Sequence, residues 1–246
     1  MKAVRKQGFT LVELLVVIGI LGILAASLFP AIGNAVLRAN MTSVSARGKD
    51  IYVAIVGANT EREPLGLGPV WPKTTGAETS ATGSDDIAYK TFGTSSEYFT
   101  ELMDTENSKT PDKWAPYVNG LDPSKLTGAG VRTGPSGVKI DKKYNMWTIA
   151  GDILEETEDI IPILLTRNFK ETELIQSGSQ APKSDRILSW YYDDTERKSP
   201  FFNKGFVMDR KGGATFNLTA RYTSQEIIYN GQSVNLGTPG IKYLIP

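Results

Sequence analysis

The apolar run from Phe9 to Ile32 constrains this chain most: 24 residues in which Glu13 is the only charged side chain. As an α-helix rising ~1.5 Å per residue it measures about 36 Å. That crosses a hydrocarbon core of roughly 30 Å with room for tilt. Lys2, Arg5 and Lys6 precede the run with no acid among them, a bias that keeps the N-terminus cytoplasmic and sends everything after Ile32 to the other side. An ordinary secretory signal has an apolar region of only ~7 to 15 residues. A plain single-pass anchor leaves the acid without a purpose.

A carboxylate near a helix centre in lipid costs on the order of 2.5 to 3.5 kcal/mol, so intramembrane acids usually have partners. No basic residue lies within the span to pair with Glu13. Cleavage after Gly8 would create an amine on Phe9, but on the same helix that amine sits ~6 Å below the acid along the axis. A neighbouring copy shifted axially by about that much or somewhat more places its own amine beside this carboxylate. Gly19, Gly22, Ala25 and Ala26 leave small surfaces that let helices approach in lipid. Pro30, followed by Gly33 and Asn34, predicts a kink or local melting.

The stretch Gly8-Phe9-Thr10-Leu11-Val12-Glu13, continued as GFTLVELLVVIGILGILAA, resembles the class III signal of type IV pilins and type II secretion pseudopilins. The resemblance covers about the first tenth of the chain. It implies cleavage after Gly8 by a prepilin peptidase, methylation of Phe9, a subunit-assembly role for Phe9 and Glu13, and loosening at Pro30 when a filament forms. It also implies a pilin-like α+β fold, a long N-terminal helix packed on an antiparallel β-sheet head. The expected partners are like subunits and other pilins or pseudopilins, the inner-membrane assembly platform, and inner-membrane lipid before assembly.

Composition bounds the rest. The 27 basic and 27 acidic residues balance. Without Lys2, Arg5 and Lys6, 24 basic residues face 27 acidic ones, a net charge of −3. No clustered cationic surface marks a nucleic-acid binder. There is no cysteine and no histidine, which removes thiol chemistry and the commonest general base and metal ligand. No enzyme activity, cofactor or metal is expected.

Four segments follow: a leader at 1–8, the membrane and assembly half of the helix at 9–32, an amphipathic half at 33–57, and a periplasmic head at 58–246. In the amphipathic half, Leu37, Met41, Val44, Ile51 and Ile55 form one stripe. Residues 58–93, with Pro64, Pro69 and Pro72, read as an irregular connection in which Leu67, Val70 and Trp71 act as a pinning contact. Thr94-Ser95-Ser96-Glu97 is a capping-box pattern ahead of a helix at about 95–104.

Tyr144–Ile149, Ile160–Thr166 and Ile187–Tyr192 are strand candidates, the second an edge strand because of Pro162. Gly205–Asp209 and Ala214–Leu218 form a hairpin around Arg210-Lys211-Gly212-Gly213. Ser224–Tyr229 reads as a helical turn or a strand. Three acidic clusters invite a cation reading: Asp85 with Asp86, Asp152 to Asp159, and Asp193 and Asp194 with Glu196. Solvated loop charge is the default for each, since no EF-hand loop is present.

The leading function is thus a structural subunit of a type II secretion pseudopilus or a type IV pilus supporting protein secretion. The alternative is a minor pilin or membrane-tethered module whose head recognises secreted protein, DNA or a surface.

Overall fold

A computed structural model describes residues 9–74, 86–103, 117–118, 121, 123–126, 140–169, 174, 185–188, 201, 203–232 and 241–246. The chain divides into two units, Met1–Asn40 and Met41–Pro246. Helix α1 is Leu11–Arg62. In the first unit its large apolar side chains face outward, Leu11 at 87% and Ile23 at 73% exposure. None of its most apolar window is buried in the chain, and by length and composition it can cross a membrane.

In the second unit the helix changes character. Its buried positions are Met41, Val44, Gly48, Ile51, Ile55, Ala58 and Arg62, spaced alternately by three and four, the repeat of a single helix face. The stripe expected from sequence is present, with Leu37 only half-buried and with Gly48 and Ala58 added. The helix also runs beyond the expected end near Gly57, to Arg62, and a 3-10 turn at Glu63–Leu65 follows. Arg62 closes it by donating to the Gly68 carbonyl at 2.8 Å and pairing with Asp86 at 2.6 Å.

The head sheet is antiparallel throughout: β1 Trp147–Gly151, β2 Pro162–Thr166, β3 Gly205–Arg210, β4 Thr215–Thr219 and β5 Lys242–Leu244, in the order β4-β3-β2-β1-β5. A long helix with a five-stranded antiparallel sheet is the α+β pilin-like fold that the resemblance implies. The hairpin forms as expected, Gly205 opposite Thr219 and Asp209 opposite Thr215. Its turn is held by α1: Lys49 Nζ donates to the Gly213 carbonyl at 2.6 Å and the Tyr52 hydroxyl to that of Lys211 at 2.7 Å.

Two strand expectations need correction. β2 is the central strand of the sheet, not an edge. Pro162 is tolerated there because it opens the strand, at a register shift between Pro162 and Leu164 where a missing N–H costs no regular ladder bond. Of the candidate at 187–192, Ile187 and Leu188 are described, and Leu188 makes only an isolated bridge to Phe169; the remainder lies outside the described residues. The segment at 224–229 resolves as a short helix, α3, Gln225–Ile228.

Helix α2, Ser95–Met103, starts on the expected capping box: Thr94 N–H donates to Glu97 Oε2 at 3.1 Å and Glu97 N–H to Thr94 Oγ1 at 3.2 Å. It joins the sheet through a buried polar knot. Ser95 Oγ donates to the Trp147 carbonyl at 2.7 Å, while Asn145 Nδ2 reaches Ser95 Oγ at 2.9 Å and its Oδ1 accepts from Trp147 N–H at 3.0 Å. Such satisfied contacts fix one arrangement where an unpaired group would cost about 1 to 3 kcal/mol.

α1 approaches the sheet closely at Gly48. A Cβ there would lie 2.8 Å from Trp147 Cη2 and closer still to Asp209 Oδ2. Asp209 is fully buried; its Oδ1 accepts from the Thr215 hydroxyl and its Oδ2 has no hydrogen-bond partner among the described residues. Burial pushes its carboxyl up to about 6, opposed by the Thr215 hydrogen bond and the charge of Lys49.

Gly48→Ala therefore meets two opposed effects: about 1 kcal/mol gained in helix propensity against about 1 to 3 kcal/mol of overpacking. Thermal unfolding is expected to show net destabilisation. Gly57→Ala, where an added Cβ meets nothing within 4 Å, should instead raise the melting temperature.

Asp209 makes stability pH-dependent. Its folded pKa is raised above the unfolded value of 3.8, so the folded state binds the extra proton. This contribution to stability therefore grows as pH falls through about 6 and levels off below the unfolded value, for a total of about 3 kcal/mol. Denaturant midpoints at about pH 7.5 and about pH 5 should show roughly half of this gain in the parent protein, since pH 5 still lies above the unfolded value, and lack it in Asp209→Asn. Equal pH slopes in the two proteins would sink the assignment.

Candidate assembly and processing segment

Among the residues singled out from sequence, Phe9, Glu13 and Pro30 are described and Gly8 lies outside the described residues. Phe9 is 75% exposed. Helix α1 begins immediately after Thr10, and the Glu13 side chain turns back onto that start. Glu13 Oε2 accepts from both the Thr10 N–H and the Thr10 hydroxyl at 2.8 Å, and Glu13 N–H donates to Thr10 Oγ1 at 3.3 Å. This is a reciprocal capping box. Within a single chain the acid is thus hydrogen-bonded, and among the described residues no cation pairs with it.

Sequence reasoning missed Thr10. The signal was present as Thr-x-x-Glu at 10–13, the same spacing that identified Thr94 and Glu97.

Pro30 lies inside α1, which is assigned as helix on both sides of it. The lost N–H donor is one bond in a helix of 52 residues. A Cβ added at Gly19, Gly22 or Gly33 would meet nothing within 4 Å, so nothing among the described residues requires glycine at these positions.

The acidic clusters of the head divide by what they touch. Asp152, at φ +57°, accepts from the Thr74 N–H at 2.9 Å and from the Thr74 hydroxyl, fastening the 72–74 segment to the end of β1. Asp86 pairs with Arg62 and caps the 3-10 turn at Ile87–Tyr89 by accepting from Ala88 N–H at 2.9 Å. Asp85, Asp193, Asp194 and Glu196 lie outside the described residues. Among the described residues no group of three or more His, Cys, Asp or Glu side chains is placed to hold a metal ion.

Val70 is the pin of the Leu67–Trp71 segment. It is fully buried, its N–H donates to Asn59 Oδ1 at 2.7 Å and its carbonyl accepts from the Tyr98 hydroxyl at 3.0 Å. Full burial raises the Tyr98 phenol far above its ordinary value, so this hydroxyl remains a donor. Near the cation of Arg62, the Tyr117 hydroxyl accepts from Ile87 N–H at 3.1 Å, and burial with the charge of Asp86 pushes its phenol up to about 12.

Comparison with known proteins identifies one segment. Residues 4–29 match the family model of the prokaryotic N-terminal methylation motif. No curated protein and no solved structure matches the chain. The matched residues bracket the Gly8-Phe9 junction, the Thr10–Glu13 box and most of the exposed apolar helix, and they point to a structural subunit rather than an enzyme. At its N-terminus the chain carries the prepilin-type signal of type IV pilins and pseudopilins.

Proposed function

We propose that this protein is a filament subunit, made as a prepilin, cleaved after Gly8, methylated on Phe9, and assembled through α1 into a type II secretion pseudopilus or a type IV pilus that supports protein secretion. The observation that carries the reading is the methylation motif at residues 4–29 overlapping a helix whose apolar side chains find no cover among the described residues. Residues 1–8 are the leader, 9–32 the membrane and assembly half, 33–57 the amphipathic half and 58–246 the head. Before assembly the protein is a single-pass inner-membrane protein with a cytoplasmic N-terminus and a periplasmic head. Its partners are the prepilin peptidase, the inner-membrane assembly platform, and like or related subunits.

In this reading Glu13 changes partners. The Thr10 box supplies hydrogen bonds to one of its oxygens, Oε2, in the membrane-resident chain; the Phe9 amine of a neighbouring copy, exposed by cleavage, neutralises its charge in the filament. Pro30 is where α1 loosens on assembly.

The mature protein should begin at Phe9 by intact-mass measurement, carrying one added methyl; retention of Met1, or cleavage beyond Ala25, is incompatible with this function. Glu13→Ala sacrifices a cap worth about 1 kcal/mol and removes an insertion penalty of roughly 2.5 to 3.5 kcal/mol. Membrane fractionation should find the variant fully inserted, while sheared filament fractions should be depleted of it. Parent-like filament incorporation would refute the partner exchange.

A further inference from the structure

The β3–β4 hairpin separates charge along its length. At its turn, Lys211 Nζ donates to the carbonyls of Glu155 and Thr157, both at 2.5 Å, and Gly212 N–H donates to that of Asp159 at 3.0 Å. The turn therefore abuts loop 154–159, where Glu155, Glu156, Glu158 and Asp159 are all exposed. The three glutamate carboxylates hold no partner among the described residues.

At the opposite end, where β3 starts and β4 finishes, Ala220 N–H donates to the Lys204 carbonyl at 3.1 Å. Lys204 and Arg221 are exposed there with no side-chain partner among the described residues. Tyr222 beside them is 51% exposed. Arg186, bridged to Ser224, is exposed nearby together with Asp185 and Glu226, and this end stays net positive with all three counted. The five residues of β4 set the two ends about 17 Å apart.

The acidic end also has a concavity. A groove of about 460 Å³ opens between α1 and loop 153–155, lined in part by Tyr52, Glu63, Leu67, Trp71, Leu154 and Glu155 and also by Lys211, whose ammonium is turned onto the Glu155 and Thr157 carbonyls. Leu154 is 56% exposed at its lip. Aromatic and apolar walls under an acidic rim suit a tyrosine flanked by cations.

We propose that this groove receives the Lys204, Arg221 and Tyr222 end of a second copy, so that heads stack head to tail. The two surfaces are different, and a contact between different surfaces that does not close on itself builds an open helical array. Complementary charge sets the polarity, because acidic end against acidic end repels. The inference rests on the filament reading and adds to it the surface by which heads meet.

The absence of cysteine from the chain makes the test clean. In the full-length protein, Glu155→Cys combined with Arg221→Cys places thiols too far apart for an intrachain bridge, which needs Cα atoms within about 7 Å. Mild oxidation of filaments should give a ladder of dimers, trimers and higher species, whereas either single variant should stop at dimers. Reversing the loop charges (Glu155→Lys with Glu158→Lys), or the basic end (Lys204→Glu with Arg221→Glu), should each cut the sheared filament fraction about tenfold. Combining all four should restore it, and the melting temperature of each variant should stay at the parent value.

Filaments formed in parent amounts by the charge-reversed chains, without a ladder from the double-cysteine chain, would overturn the docking surface and leave the filament reading standing. A parent chain that is cleaved after Gly8 and yet yields no polymer would overturn both.

Discussion

The head depends on how closely α1 can lie against the sheet. Seven buried positions, spaced by three and four from Met41 to Arg62, form the stripe, and at Gly48 no side chain would fit against Trp147 and Asp209. That approach brings Lys49 and Tyr52 within reach of the hairpin turn, whose carbonyls at Gly213 and Lys211 they hold. The turn in turn grips loop 154–159 through Lys211. One missing side chain thus sets the register of helix, hairpin and acidic loop together. Gly205 repeats the device next to Met41, where a Cβ would lie 2.6 Å from the sulfur.

The same helix satisfies two different surroundings. From Leu11 to Ile32 it is apolar on all sides with Glu13 its only charge, and exposed, which is stable only in lipid or against other helices. From Met41 onward a single stripe is buried and the remaining positions are mostly polar or small, with Tyr52, Val53 and Val56 the exceptions. A change from all-round to one-sided hydrophobicity within one helix is the physical basis for reading a membrane-anchored segment followed by a water-facing head.

What was legible in the sequence was what local chemistry decides. The capping box at Thr94 and Glu97, the hairpin around Arg210–Gly213, the stripe of α1 and the α+β class all depend on residues near one another in the chain. The positions that sequence misjudged are governed by distant contacts. Pro162 sits in the central strand because a bulge there removes the ladder bond it cannot make. Lys242–Leu244 completes the sheet only because β1 offers it an edge, with Ala150 opposite Tyr243, and three residues carry no periodicity from which to predict a strand. Gly48 reads as a weak point in a helix until Trp147 and Asp209 are placed beside it. In the assembly segment Gly8, Phe9 and Glu13 stand out as a motif, whereas the role of Thr10 shows only once its Thr-x-x-Glu spacing to Glu13 is set at the first turn of a helix.

That spacing bears on how an acid can be kept in an apolar helix. A carboxylate brought out of water loses hydrogen bonds and also loses the dielectric screening of its charge, and the two losses have different remedies. The Thr10 N–H and hydroxyl restore the first, and the helix N-terminus adds a partial positive charge worth roughly 0.3 to 1 kcal/mol. Neither supplies a full countercharge. The capped state is therefore tolerable and incomplete: Glu13 is held at the first turn of α1, turned back onto Thr10, with no countercharge among the described residues. In the proposed filament a neighbouring amine supplies what the cap cannot, and the driving force for the exchange is the difference between a hydrogen-bonded ion and a neutralised one. The cap prepares this step, because a carboxylate already turned toward the N-terminal end of its helix has less conformational freedom to lose when the cation arrives.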